Sequence, residues 1–340
     1  MVNTTVQLRL VTSFEDPTLS KELWDDLLRQ GSSEVVFLTW HWQKVWWEVF
    51  GRGKLLIIIA EQEGKPIAMA PLFADQGMIY WVGSGGSDYL DFIGDIRDPD
   101  VLESMLLLAA EQTPGFLGFC FYHVLDTSAT AQVLKKVASR LNWVCYDEGQ
   151  MAAPLLDFKN FPEESSLIVN KKRLHKYESY FRLTGDFHVD HFHRRQEILS
   201  ALPSFIQQHI TRWEVTEYPS LFLDPKQKLF YQRLAECADE SGWLRLTRIN
   251  WQDQAIAYHF GFCHQGSFVY YKPSYDIGLS SRSPGQVLLR HVLLRAQDEG
   301  CSIFDFGLGE EAYKNRFSTG TRYVNTWGLY PPTSLKKEKI

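Results

Sequence analysis

The chain is 340 residues long, 45% hydrophobic and 14% aromatic, with 41 acidic against 35 basic side chains and a formal charge of -6. That length suits one large or two medium domains with a substantial core, and a net acidic chain argues against a general nucleic-acid coat and against DNA as a partner. Cys120, Cys145, Cys237, Cys263 and Cys301 are scattered without C-x-x-C spacing, so they read as reduced, mostly buried thiols, with no metal site expected.

The opening stretch MVNTTVQLRLVTSFED lacks a long apolar h-region. No apolar run approaches the ~18 residues of a membrane span, so a cytoplasmic protein without a transmembrane segment is expected. Val6 to Val11 predicts a short strand, and Asp16-Pro17 to Gln30 a helix with Leu19, Leu23, Leu27 and Leu28 inward. Thr39 to Phe50 predicts a second helix carrying Trp40, Trp42, Trp46 and Trp47, a ring that suits either a cleft or a core. Lys54 to Glu61, Pro66 to Phe73 and Met78 to Gly83 read as three strands joined by turns at Glu63-Gly64-Lys65 and Gln76-Gly77. Ser84 to Asp91 (SGGSDYLD) reads as a flexible loop in which Asp88 and Asp91 flank Tyr89. A helix from Asp98-Pro99 to Thr113, a strand from Gly115 to Val124, a helix from Thr127 to Leu141 and a strand from Trp143 to Asp147 follow.

The order β-β-β, loop, α-β then recurs. Strands at Leu244–Asn250, Ala255–Cys263 and Phe268–Tyr275 precede a helix beginning at Ser283 and a strand from Cys301 to Phe306. Two copies of one α/β unit are inferred, as domains 1–157 and 219–340. Between them, residues 158–218 read as a helical connector. It contains the basic run Asn170 to Lys176 (NKKRLHK), which either touches phosphates or forms a solvated helix face. A helix from Arg195 to Trp213 ends it, and Pro225 to Ser241 leads into the second copy.

The two copies differ at the helix that follows the third strand. In the second, Ser283 stands at N-cap, Pro284 at N1 and Gln286 at N3, the pattern of a capping box. Gly285 leaves the backbone open and Arg282 stands just outside, so the helix start with its free N–H groups reads as an anion site. In the first copy Asp98 and Asp100 crowd the equivalent place and would repel a phosphate. Asp305, at a strand end, suits either a base of raised pKa or a cap for the next turn. His259, on a buried-looking strand, reads as a core histidine.

The phrases LRLTRINWQDQAIAYHFGF, YYKPSYD, SRSPGQVLL and FDFGLGEEAYKNRF, with FLTWHWQKVWWEVFG, IAMAPL and SDYLDFIGD in the first half, resemble the tandem-GNAT acyltransferases. The resemblance is to the subgroup of CelD-like acetyltransferases, which is related to the Fem-type peptidyltransferases. It covers nearly the whole chain and implies two tandem GNAT-like mixed α/β domains flanked by helices. It also implies an acyl-CoA-dependent N- or O-acyltransferase with acetyl-CoA as co-substrate and a sugar, amino-sugar or polysaccharide-related acceptor.

By that resemblance the backbone at Arg282, Ser283, Gly285, Gln286 and Val287 would hold the pyrophosphate of coenzyme A. Val287 stands where the family's motif has a second small residue, and Pro284 brings no N–H. Tyr313 falls where these enzymes place the acid, with Asp305 as candidate base. Tyr271, Tyr275, Asp276 and Lys314, with Asp88, Tyr89 and Asp91 of the first copy, would line the acceptor groove. The third strand of the second copy should splay from the Ile303–Phe306 strand to form an acyl slot. Two alternatives stay open: a Fem-like transferase that uses aminoacyl-tRNA, and a catalytically silent binding protein of the same fold.

Overall fold

Two turns of the first half, Glu63-Gly64 and Gln76-Gly77, take left-handed backbone at both residues, with φ of 52° and 74°, and of 50° and 83°. Such turns match the twist of the strands they join, so each reverses the chain into a tight hairpin. The computed structural model describes residues 6–31 and 33–332, which form two units. The first holds the described residues up to Ala152 together with those from Arg322 onward; the second is Ala153–Thr321.

The first unit contains β1 (Gln7–Val11), α1 (Lys21–Gln30), α2 (Trp40–Phe50), β2 (Lys54–Gln62), β3 (Lys65–Asp75), β4 (Met78–Trp81), β5 (Ile93–Gly94), α3 (Pro99–Glu111), β6 (Gly118–Leu125), α4 (Thr130–Arg140) and the start of β7 (Val144–Asp157). Its sheet runs β1-β2-β3-β4-β6, with β5 paired to β3. The β4–β6 pair is parallel and the other pairs are antiparallel. Leu55 to Ala60 of β2 are all at most 2% exposed, which explains a continuous apolar run rather than an alternating one. Trp42 and Trp46 are buried too, so half of the tryptophan ring is core. The last strand of this sheet comes from the far end of the chain. It is β13 (Gly320–Tyr330), antiparallel to β6 from Val324↔Leu125 to Leu329↔Phe119.

The second unit takes the end of β7, then α5 (Pro162–Val169), α6 (Lys172–Thr184), β8 (Phe187–Phe192), α7 (Arg195–Trp213), α8 (Pro225–Glu236), α9 (Ala238–Ser241), β9 (Leu244–Trp251), β10 (Gln254–His264), β11 (Ser267–Tyr275), α10 (Pro284–Asp298), β12 (Ile303–Asp305) and α11 (Ala312–Asn315). Its sheet runs β7-β12-β11-β10-β9-β8. Only β11–β12 is parallel. The apolar face of α10, Val287, Leu288, Leu289, Val292, Leu293 and Ala296, packs with Ile249, Ile256, Phe268, Tyr270 and Phe304 of the sheet. Leu174 and Phe181 of α6 close the same core. A Leu or Val side chain so buried contributes about 1.5–3 kcal/mol, so this face anchors the start of α10.

Three boundaries differ from those read off the sequence. Residues 158–218 are not a separate connector: they supply the edge strand β8 and helices α5, α6 and α7 of the second unit. The first unit does not end with the first half of the chain, because β13 returns to it. The helix expected over 225–241 breaks at Cys237 into α8 and α9.

Candidate functional site

The site begins where two strands part. β11 and β12 pair only from Ser267↔Ile303 to Val269↔Asp305, and β11 then runs on to Tyr275 without a β12 partner. A 3-10 turn, Ile277–Arg282, carries the chain to α10. A cavity of about 240 Å³ opens at this point, lined by Arg212, Tyr270, Pro273, Tyr275, Ser280, Ser283, Gly285, Gln286, Leu289 and Tyr313. A Cβ on Gly285 would lie 2.9 Å from Cδ1 of Tyr275, so any larger residue there must push the ring.

The start of α10 departs from the expected capping box. Ser283 has φ 58° and ψ 48°, the left-handed region, and its side chain caps no helix amide. In that conformation its carbonyl turns into the helix, where it accepts from the N–H of Gln286 at 3.0 Å and of Val287 at 3.3 Å. Pro284 has no N–H, so among the first amides of α10 only that of Gly285 lacks a backbone acceptor among the described residues. The expected row of free amides is therefore reduced to one. Val287 is fully buried and its side chain belongs to the core. Arg282 is exposed, with its guanidinium 4.3 Å over the ring of Tyr180, and does not line the cavity.

Tyr313 projects from the short α11 into the cavity wall. Burial, and then the carboxylate of Glu311, push its hydroxyl well above the usual tyrosine range, opposed by Arg212. Tyr270 is raised in the same way by burial and by Tyr313, again opposed by Arg212. The Arg212 guanidinium stands 4.4 Å over the ring of Tyr275 and donates to Pro273 O at 3.0 Å.

A larger cavity of about 550 Å³ lies on the other side of this wall and shares Arg212 and Tyr275 with the first. It is framed by Ser204, Gln207, Gln208 and Thr211 of α7, Arg248 and Asn250 of β9, Asp253, Ala255 and Tyr258, and by Asp276 and Ile277. Sequence reasoning missed Arg212, Tyr270 and the α7 residues. They arrive from helix and strand positions with no local motif, Arg212 from α7, well before the α10 start in the chain.

The remaining expected residues are placed as follows. Asp305 is 1% exposed and caps the turn after β12, accepting from Gly307 N–H at 2.8 Å; it lines neither cavity. Lys314 is buried, donating to Leu308 O at 2.6 Å and pairing with Glu311 at 2.9 Å, so it holds its own loop rather than an acceptor. Tyr271 lies outside both cavities, against Phe262 at 5.1 Å, with Lys272 Nζ 4.0 Å over its ring. Asp276 lines the larger cavity and also accepts from Gly278 N–H at 2.8 Å.

Asp88, Tyr89 and Asp91 lie in the first unit. Asp88 is half-buried, while Tyr89 and Asp91 are both 2% exposed. The Asp91 carboxylate accepts from the hydroxyls of Ser33, Ser128 and Thr130 at 2.6, 2.6 and 2.5 Å, so it is a structural node and not a surface ligand. Burial pushes its pKa up, and those hydroxyls pull against the shift. His259 is fully buried; burial lowers it to about 3, and its Nε2 accepts from Tyr271 N–H at 3.2 Å, as befits a neutral core histidine.

Among the described residues no group of three His, Cys, Asp or Glu side chains is placed to hold a metal, and no helix is long and apolar enough to cross a membrane.

Residues 170–315 match a family model described as an acetyltransferase (GNAT) domain. The match falls inside the second unit, which holds both cavities. No curated protein matches the chain. Among solved structures, FemX is similar with a TM-score of 0.64 at 11% identity, over 94% of this chain and 98% of that one. L-PGS from Bacillus licheniformis gives 0.58 at 13% identity, over 97% and 96%. A tandem GNAT protein from the clavulanic acid biosynthesis pathway gives 0.50 at 11%, over 96% and 99%. The fold is accordingly that of two tandem GNAT-like mixed-sheet domains flanked by helices, as the family resemblance implied.

Proposed function

We propose that the second unit is an acyltransferase that moves an acyl group from a coenzyme A thioester, acetyl-CoA in the simplest case, to an amine or hydroxyl. The observation that carries this reading is the pair of cavities sharing the Arg212–Tyr275 wall at the point where β11 leaves β12. One cavity ends at the α10 start, Gly285 and Tyr313, and receives the thioester. The other carries amide, hydroxyl and charged side chains in its walls and receives the acceptor.

In this scheme the acceptor attacks the thioester carbonyl carbon. The new C–N or C–O bond forms, the C–S bond breaks, and the acceptor's proton leaves toward Asp276. Tyr313, held protonated by burial and by Glu311, gives its phenol proton to the departing thiolate and regains one from solvent. Arg212, shared by both cavities, stabilises the negative charge that develops between them. Gly285 lets the donor approach the one unengaged amide of α10.

Calorimetric titration with acetyl-CoA tests the assignment. The Gly285→Glu variant sets a carboxylate against the Tyr275 ring and is expected to weaken binding at least about tenfold by charge repulsion and steric loss. Equal binding by the variant and the wild type would remove the donor from this cavity.

A second reading follows from the α10 start itself. With Pro284 lacking an N–H and the amides of Gln286 and Val287 bonded to Ser283, a diphosphate finds few donors there. Lys172, Arg173 and Lys176 are exposed on α6, which packs beside α10. The Tyr177 hydroxyl, bonded by Arg173 at 2.5 Å, also meets Ser283. A donor carried on tRNA, as the Fem-type resemblance implies, would use that basic face. Retention of an aminoacyl-tRNA in a gel-shift assay, lost in a Lys172/Arg173/Lys176→Ala variant, together with no acetyl-CoA binding, would favour this second reading.

A further inference from the structure

We propose that Cys263 and Cys301 form an oxidisable dithiol site, which a peroxide converts to a disulfide that rivets the closed end of the parting strands β11 and β12. The two sulfurs stand 3.4 Å apart, although the residues are 38 positions apart in the chain. Cys263 is next to last in β10, and Cys301 falls in the short link between α10 and β12. A disulfide bond is about 2.05 Å long, so closing it takes a rotation of the side chains and a small shift of that link. Cys263 is half-buried, which leaves the pair within reach of a small oxidant, while Cys301 is 6% exposed.

The pair sits where the second unit's strands are hooked together. Gly266, in the turn between β10 and β11, accepts through its carbonyl from the N–H groups of Ser302 and Ile303 at 2.8 and 3.2 Å and from the Ser302 hydroxyl at 3.1 Å. The β11–β12 pairing starts there, at Ser267↔Ile303, and ends at Val269↔Asp305. Beyond that point the strands leave each other at the smaller cavity. Apart from Arg212 and Tyr313, every residue lining this cavity lies between the two cysteines in the chain. A Cys263–Cys301 bond therefore closes a covalent loop around the segment that builds the cavity. It does so at the far end of α10 from Ser283 and Gly285, so the cavity wall itself is left alone. The site holds whatever ligand that cavity takes, and does not depend on acyl transfer.

The surrounding charges divide the two roles. The Glu299 carboxylate is fixed by Arg245 at 2.9 Å and Arg295 at 2.6 Å. The hydrogen bond to Cys301 and burial push the Cys263 thiol up, and Glu299 adds to this, so Cys263 keeps its proton. That same hydrogen bond lowers Cys301, with Arg245 in support and burial and Glu299 opposed. Cys301 is then the thiolate that reacts first. It attacks one oxygen of hydrogen peroxide; an S–O bond forms, the O–O bond breaks, and hydroxide leaves with the proton Cys301 gave up, as water. The Cys263 sulfur attacks the resulting sulfenic acid, the S–S bond forms, and the S–O oxygen leaves with its own hydrogen and the Cys263 proton as a second water. The two thiols lose two electrons and two protons, and one peroxide is reduced to two waters.

The test uses the full chain, reduced and then treated with a slight excess of hydrogen peroxide. Mass spectrometry is expected to show a chain lighter by two hydrogen atoms, a peptide pair joined through Cys263 and Cys301, and reversal by a phosphine reductant. The joined form should melt about 5–10 °C above the reduced one, because a loop of this length is closed in its unfolded state. In Cys263→Ser and Cys301→Ser both the joined peptide and the shift should vanish. The wild type compared with itself, reduced and oxidised, gives the answer even where a variant folds poorly. Peroxide that leaves both thiols open to alkylation, that carries Cys301 to the sulfinic acid without a bond, or that joins Cys120, Cys145 or Cys237 in equal yield would overturn the proposal. So would a joined chain whose melting midpoint stays where it was or falls.

Discussion

At the scale of single residues, Tyr313 and Asp91 show how position in space overrides type in sequence. Both were candidate site residues. Tyr313 reaches a cavity wall, whereas Asp91 is enclosed by three hydroxyls from Ser33, Ser128 and Thr130. Nothing local distinguishes them, because the groups that bury Asp91 lie about 40 and 60 positions away in the chain. The run SGGSDYLD reads as a flexible loop for its glycines, yet Tyr89 within it packs against Phe37 at 5.7 Å. Tyr313→Phe removes only the phenol oxygen. If that group protonates the leaving thiolate, kcat for acetyl transfer falls about a hundredfold while acetyl-CoA binding changes little. Steady-state assay of thiol release checks this. Because burial and Glu311 raise the hydroxyl above its ordinary value, deprotonation of Tyr313 should not limit the rate until the pH exceeds about 10.

At the scale of elements, the hairpins and α10 were legible and the first turn of α10 was not. Two-residue glycine turns and a 3.6-residue apolar period carry their own geometry, so β2, β3, β4 and the buried face of α10 follow from local physics. The string Ser-Pro-Gly-Gln favours an extended serine, because a residue before proline is pushed toward extended backbone, whereas Ser283 takes the left-handed region. The α6–α10 contact decides a second property. Burial of Glu178 on α6 would raise its pKa, but His291, Arg182 and Arg290 override this and hold it at about 2, against 4.5 for the free side chain. Arg290 Nη1 lies 2.6 Å from Oε2, and His291 Nε2 stands 3.4 Å from the same oxygen. A depressed folded-state pKa means stability that is fully present above about 4.5 and is lost as pH falls through about 2. The shift corresponds to on the order of 3 kcal/mol. Urea melts of wild type and Glu178→Gln between neutral pH and pH ~2 are expected to converge as the acid limit is approached. A gap between them that stays constant with pH would show that Glu178 acts by packing alone.

At the scale of the whole molecule, the two-fold repetition of element order was visible in the sequence, but the path of the chain was not. Residues 158–218 looked like a linker because their helices carry charge on the outer face. Their inner positions, Leu174, Phe181, Ile198 and Phe205, are nevertheless fully buried. The strand β13 lies in a stretch, GTRYVNTWGLY, whose alternation gives no hint of which sheet it joins. Ending the chain after Thr321 would strip β6 of its partner from Val324 to Leu329. The expected result is loss of the near-ultraviolet circular dichroism contributed by the buried Trp24, Trp42 and Trp81. A truncated protein that kept this signal and its melting temperature would mean that β13 is dispensable to its sheet. The same return of the chain sets an order of events at the ribosome. The part translated first stays open along one edge until β13 has been made, while the part translated later can already have closed. A nascent chain therefore carries β6 with one edge unpaired from its own translation until that of β13, and chaperone capture of stalled intermediates should centre on that strand.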